Sequence, residues 1–90
     1  MQLDWDEAKN RRNLRKHGID FETAILVFED PYSMAVLDRV VYGEERWQTI
    51  GVAGDVTVVV VAHTLSEEVI RIISARKATP QERRSYEEAN

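Results

Sequence analysis

Arg71, Arg76, Lys77, Arg83 and Arg84 fall within one fourteen-residue stretch, and their spacing suggests what they can do. An apolar run carries an arginine at each end, Arg71 and Arg76, and reads as a strand. It leads into Thr79-Pro80-Gln81-Glu82, a capping box with proline at the first helical position. Cations are thereby fixed at the junction of two rigid elements, an arrangement suited to a polyanion. A second cluster, Lys9, Arg11, Arg12, Arg15 and Lys16, occupies eight residues without one acid. Arginines outnumber lysines nine to three, which favours forked, bidentate contacts to phosphate or carboxylate over diffuse attraction. Two histidines, His17 and His63, can exchange protons near neutrality, where an unperturbed imidazole has a pKa of about 6.5. They lie 46 residues apart in a chain without cysteine, so no metal-ligand spacing emerges and neither metal nor cofactor is expected.

The elements that must hold these groups follow from periodicity. Gln2–Trp5 reads as a short strand. Asp6 caps a helix to about His17, which Gly18 ends in the left-handed conformation. That helix has few apolar residues beyond Ala8 and Leu14, so water or a partner should cover much of it. Asp20 caps a second helix in which Phe21, Ala24, Ile25 and Phe28 form an inward stripe, and Asp30-Pro31 stops it. From Tyr32 the period becomes two, with strands near 33–41, 46–52, 56–64 and 69–76. Tyr42–Glu45, Ala53–Asp55 and Leu65–Glu68 are the turns between them. A C-terminal helix runs from Pro80 to near Ala89. The order predicts a single α+β domain over residues 1–90, a small antiparallel sheet packed by two N-terminal helices and bordered by the C-terminal one.

Composition limits the function classes. Absence of cysteine excludes thiolate chemistry and a disulfide framework. The N-terminus lacks the basic and apolar regions of a signal peptide, and the apolar block Val56–Ala62 is far shorter than the roughly 20 residues of a membrane span. A cytoplasmic domain with no membrane partner is expected. The net charge of −4 weighs against a freestanding nucleic-acid binder, but the two local cationic clusters suit either a phosphate backbone or an acidic partner.

The chain resembles the BrnT family of bacterial type II toxins. The resemblance rests on Trp5-Asp6-Glu7-Ala8-Lys9, on Asn13 through Ala24, on Val27-Phe28-Glu29-Asp30-Pro31, on Gly43-Glu44-Glu45-Arg46 and on Arg71–Glu87, all in order. It implies a RelE-like ribonuclease that arrests growth and is neutralised by a BrnA-type ribbon-helix-helix antitoxin, with operator DNA bound only through that antitoxin in a hetero-oligomer. The sequence departs from the family pattern at Ser66, where many relatives carry arginine two residues after the threonine that ends the central strand. A toxin-like partner that binds antitoxin as a co-repressor without cutting RNA is therefore the alternative.

Metal-free RNA cleavage requires a base for the 2′-hydroxyl proton, cations for the charge on the phosphorane and an acid for the leaving oxygen. Arg46, Arg71 and Arg76, each on a strand or at a strand end, are the candidate phosphate ligands, with His63, Glu44 or Glu45 moving the proton. Strand alternation puts Arg71 and Arg76 on opposite faces unless a bulge intervenes. Lys9, Lys16, His17, Lys77, Arg83 and Tyr86 are the RNA-contact candidates. Each has a plain structural counterpart: ion pairs for the arginines, a half-buried hydrogen-bonded His63, a helix-terminal His17, solvated lysines, and a Tyr86 packed on the sheet.

Overall fold

The computed structural model describes residues 2–55 and 57–90. Strand β1 (Gln2–Asp4) leads into helix α1 (Glu7–His17) and the short helix α2 (Phe21–Ala24), which tightens into a 3-10 segment, Ile25–Glu29. Strands β2 (Met34–Val41), β3 (Glu44–Ala53), β4 (Thr57–Ser66) and β5 (Val69–Lys77) follow, then helix α3 (Pro80–Glu88). The expected 56–64 strand is present from Thr57, and Val56 lies outside the described residues.

The sheet order is β1-β5-β4-β3-β2, with β4 central as its valine run predicts. The sheet is mixed, not antiparallel throughout. Hairpins make β2 to β5 antiparallel, whereas β1 pairs parallel to β5, matching Gln2 with Val69 and Asp4 with Arg71. A three-residue strand offers no pattern from which its direction can be read.

Helix termini match the sequence. The Asp6 carboxylate accepts from the N–H groups of Ala8 and Lys9, and Gly18, at φ 74°, returns its N–H to Leu14 O. Asp20 accepts from Thr23 N–H at 2.7 Å. Beyond Ala24 the turn tightens to three residues, so Phe21, Ala24 and Val27 align inward and are buried, while Ile25 and Phe28 are half-buried.

The core lies between these helices and one sheet face, built from Ile19, Phe21, Ala24, Val27, Val59, Val61, Ile70, Ile72 and Ala75. Trp5 meets Phe21 edge to face at 6.1 Å. Gly51 permits the close approach of the 3-10 segment, since a Cβ there would stand 3.0 Å from Val27 Cγ1 and 3.1 Å from Asp30 Oδ2.

The polar helix α1 docks through two buried asparagines rather than an apolar stripe. Asn10 Oδ1 accepts from Phe21 N–H at 2.7 Å, and its Nδ2 donates to Glu7 and Glu22. Asn13 Nδ2 donates to Ile19 O and Ala75 O, each at 2.8 Å, and its Oδ1 accepts from Ala75 N–H at 3.1 Å. The Asn13 amide thus pairs with the β5 backbone as a neighbouring strand would. Leu14 points outward and is exposed.

Candidate active site

Residues directly opposite one another on adjacent strands share a face. Arg39 pairs with Arg46, Arg46 with Thr64, Thr64 with Arg71, and Arg71 with Asp4. One lateral row therefore carries Arg39, Arg46 and Arg71, interrupted only by Thr64. It lies on the face opposite the helical core layer. Arg46 and Arg71 are two strand spacings apart, about 10 Å at the backbone, close enough for long side chains to meet over Thr64. Two rows further along the same face stand Met34, Ile50, Val60 and Arg76.

The hairpin turns set the row itself, and two bulges bring Met34 and Arg76 to the same face. Ala62 pairs with Ser74 but His63 with Ile72, leaving Ile73 extra in β5. That single extra residue reverses the alternation and brings Arg71 and Arg76 to the same face. In β2 the register shifts between Leu37 and Arg39, leaving Asp38 extra, which brings Val36 and Met34 to the face that carries Arg39.

Each arginine has a carboxylate beside it. Arg46 Nε donates to Glu44 Oε1 at 3.2 Å, Arg71 Nη1 donates to Asp4, and Arg39 lies 3.8 Å from Asp38. These pairs are solvent-exposed or partly so, and such pairs contribute about 0–1 kcal/mol. A phosphate can displace them at little cost. Arg76 differs. Its Nη1 and Nη2 donate to both Glu82 oxygens at 2.7 and 3.0 Å, and Glu82 Oε1 also accepts from Thr79 N–H. Arg76 thereby ties β5 to the first turn of α3. The Arg76 hydrogen bonds, aided by Thr79, hold the Glu82 carboxyl down to about 2, against the opposing effect of burial.

His63 is not brought to the row. It pairs with Trp47 and Ile72 on the core face and is 3 % exposed. Its Nε2 lies 2.7 Å from Thr49 Oγ1, its Nδ1 3.0 Å from Thr64 O, and Phe28 packs edge to face at 5.1 Å. Burial lowers its pKa, against a smaller opposing effect of the Thr64 carbonyl. Glu45 turns to Trp47 Nε1, leaving Glu44 as the glutamate beside Arg46 on the open face.

Tyr86 does not present a free ring or hydroxyl. It is 7 % exposed and donates its hydroxyl to Asp30, which also accepts from Val52 and Tyr32 N–H. Burial, reinforced by the Asp30 charge, pushes the phenol up to about 12. Lys9, Lys16 and His17 gather with Arg12 beside β5. Lys77 lines a separate hollow with Leu14, Asp20 and Thr57, and Arg83 is exposed on α3. Ser66 borders a hollow with Glu44 and Tyr42, one step along from the arginine row. Among the described residues no group of three histidine, aspartate or glutamate side chains is arranged to hold a metal.

Sequence reasoning misses Arg39. The signal was present: a two-residue turn at Tyr42-Gly43, both with positive φ, sets Val41 against Glu44 and hence brings Arg39 beside Arg46. A four-residue turn at Tyr42–Glu45 hides that register.

The two N-terminal helices cover one sheet face, and the other carries a row of arginines bordered by α3, an arrangement that can hold a polyanion. The chain belongs to the BrnT family: the family model described as "Ribonuclease toxin, BrnT, of type II toxin-antitoxin system" matches residues 5–82. It is similar to the Brucella abortus ribonuclease toxin BrnT, solved by crystallography at 1.1 Å, with 31% identity over 88% of this chain and 97% of that one and a TM-score of 0.65. No curated protein sequence matches. Membership makes the chain a ribonuclease toxin of a type II toxin–antitoxin pair, a class whose partner is an antitoxin. No helix among the described residues is long and apolar enough to cross a membrane.

Proposed function

We propose that this chain is a metal-independent endoribonuclease of the RelE-like kind, acting in the cytoplasm to arrest growth, with the scissile phosphate lying over Arg46, Thr64 and Arg71. The single observation that supports this reading is the lateral row of Arg39, Arg46 and Arg71 on one open face. Like charges directly opposite one another are destabilising in a sheet, so Arg39 against Arg46 is an arrangement that a bound anion relieves. Arg46 and Arg71 hold and polarise the phosphate. Glu44, hydrogen-bonded to Arg46, takes the 2′-hydroxyl proton as the 2′-oxygen bonds to phosphorus. The P–O5′ bond breaks, and the leaving 5′-oxygen takes a proton from water to give a 2′,3′-cyclic phosphate and a 5′-hydroxyl. Arg39 adds charge where Ser66 supplies none. Arg76 acts through the fold, anchoring α3 beside the site. A BrnA-type ribbon-helix-helix antitoxin neutralises the toxin and carries the pair to operator DNA.

Cleavage of RNA by the purified chain in excess EDTA tests this. Sustained cleavage that falls on the order of a hundred- to thousandfold in Arg46→Ala or Arg71→Ala is expected, the usual cost of losing a donor to transition-state charge. Cleavage abolished by EDTA overturns the metal-free chemistry.

A second reading, an inactive antitoxin-binding co-repressor, is favoured by the carboxylate that each of Arg39, Arg46, Arg71 and Arg76 already has beside it. Expression without antitoxin separates the two. Growth arrest belongs to the nuclease, and undisturbed growth with intact antitoxin binding belongs to the co-repressor.

A further inference from the structure

The cationic residues of α1 do not form one patch. Lys9, Arg12 and Lys16 recur at i, i+3 and i+7 and therefore run along one flank of the helix, while Arg11 and Arg15 lie on another. The first flank lines a groove that also includes Asn13, His17, Ile73 and Ser74, with α1 as one wall and β5 as the other. None of Lys9, Arg12 and Lys16 is in an ion pair among the described residues. This sets them apart from the arginines of the sheet row, each of which has a carboxylate beside it.

The groove exists because β1 ends early. It covers β5 only from Val69 to Arg71. Beyond that point the Asn13 amide pairs with Ala75 in place of a strand, and the bulged Ile73 lies at the uncovered edge. Ser74 shares the open face with the arginine row and also lines the groove. Ser74 thus puts one edge of the groove on the face of the row, about 10 Å along β5 from Arg71.

We infer that this groove binds the phosphate backbone of single-stranded RNA flanking the cleaved bond, with Lys9, Arg12 and Lys16 as its ligands. The inference rests on the ribonuclease reading for the identity of the polyanion, but it concerns a separate set of residues. Unpaired cations at regular spacing along a backbone-sized groove are the means by which proteins hold a strand without reading its sequence. An acidic antitoxin segment is the competing occupant. RNA is favoured because Ser74 of the groove shares the face of the arginine row, one to two nucleotides' reach (about 10 Å) from Arg71.

The test is fluorescence anisotropy of a labelled, fully 2′-O-methylated RNA of about 12 nucleotides, which lacks the attacking hydroxyl, titrated across a range of salt. In K9Q/R12Q/K16Q the slope of log affinity against log salt should shrink by about 2, and low-salt affinity should fall about tenfold or more. The control R11Q/R15Q, which removes two charges from the other flank, should stay near wild type in both. All five side chains are exposed, so thermal unfolding should confirm that both variants fold. A triple variant with wild-type slope and affinity overturns the inference, and its loss of antitoxin binding would then give the groove to an acidic protein segment. Equal losses in the two variants also overturn it, since net charge alone would explain the binding. Cleavage of unmodified RNA by the wild type is measured in parallel. A chain that binds through the groove but never cleaves supports the groove while refuting the nuclease reading.

Discussion

Replacing Arg76 separates a strut from a catalytic group. Arg76 and Glu82 form a two-point pair at 2.7 and 3.0 Å, and the same carboxylate closes the capping box on Thr79. Lowering Glu82 from 4.5 to about 2 corresponds to an upper limit of about 3 kcal/mol at 1.36 kcal/mol per pKa unit. The two side chains remain 38 and 33 % exposed, and solvent screening reduces the coupling to about 1–2 kcal/mol. A domain of this size should lose roughly 5–15 °C in Tm. The folded-state pKa is depressed, so the contribution is complete above the unfolded value and disappears as pH falls toward 2. The assay is thermal unfolding by circular dichroism of wild type, R76A, E82Q and the double variant, at pH 7 and near pH 2.5. Each single variant should lose stability at pH 7. The double-mutant cycle should show positive coupling, and the deficits should shrink at the acid pH. RNA cleavage below the Tm should survive R76A. Zero coupling, with wild-type stability and lost cleavage in R76A, would refute the reasoning and return Arg76 to the phosphate.

Asn13→Ala removes three hydrogen bonds to the backbone of Ile19 and Ala75. It should cost about 2–4 kcal/mol, measured by urea unfolding; a loss below about 0.5 kcal/mol would show that α1 is held by something else. Glu67 and Glu68 both sit at positive φ, 49° and 70°, a geometry suited to Asn-Gly. The E67N/E68G variant should therefore gain about 1–2 kcal/mol, and an unchanged or lower Tm would contradict that. Tyr86→Phe should cost about 1–2 kcal/mol at neutral pH. The wild-type phenol is raised from 10 to about 12 in the fold, so its stabilisation is full below pH 10 and fades as pH rises toward 12. The alkaline loss of stability should be smaller in Y86F, and identical alkaline curves would refute the Asp30 pairing.

The sequence is informative where one residue type answers one local demand. Asp6, Gly18, Asp20 and the Thr79–Glu82 box all act as their types dictate, and the valine run of β4 announces the central strand. What escapes is register. The extra residues at Ile73 and Asp38 carry no signature of their own, yet the first brings Arg76 to the face of Arg71 and the second brings Met34 and Val36 to the face of Arg39. The inward face of α1 is equally hidden, because Asn10 and Asn13 read as solvent-facing until their backbone partners, supplied by Phe21, Ile19 and Ala75, are known. His63 shows the same limit. Its type suggests proton transfer, and only the packing of Phe28 and Thr49 around it reveals a core residue.

Single-turnover cleavage of RNA in EDTA by wild type, R46A and R71A tests the central claim most directly. Chelator-resistant cleavage by the wild type, reduced on the order of a hundred- to thousandfold in each variant while their unfolding curves stay near wild type, is the predicted result. Wild-type rates in both folded variants would contradict an arginine row that holds the phosphate.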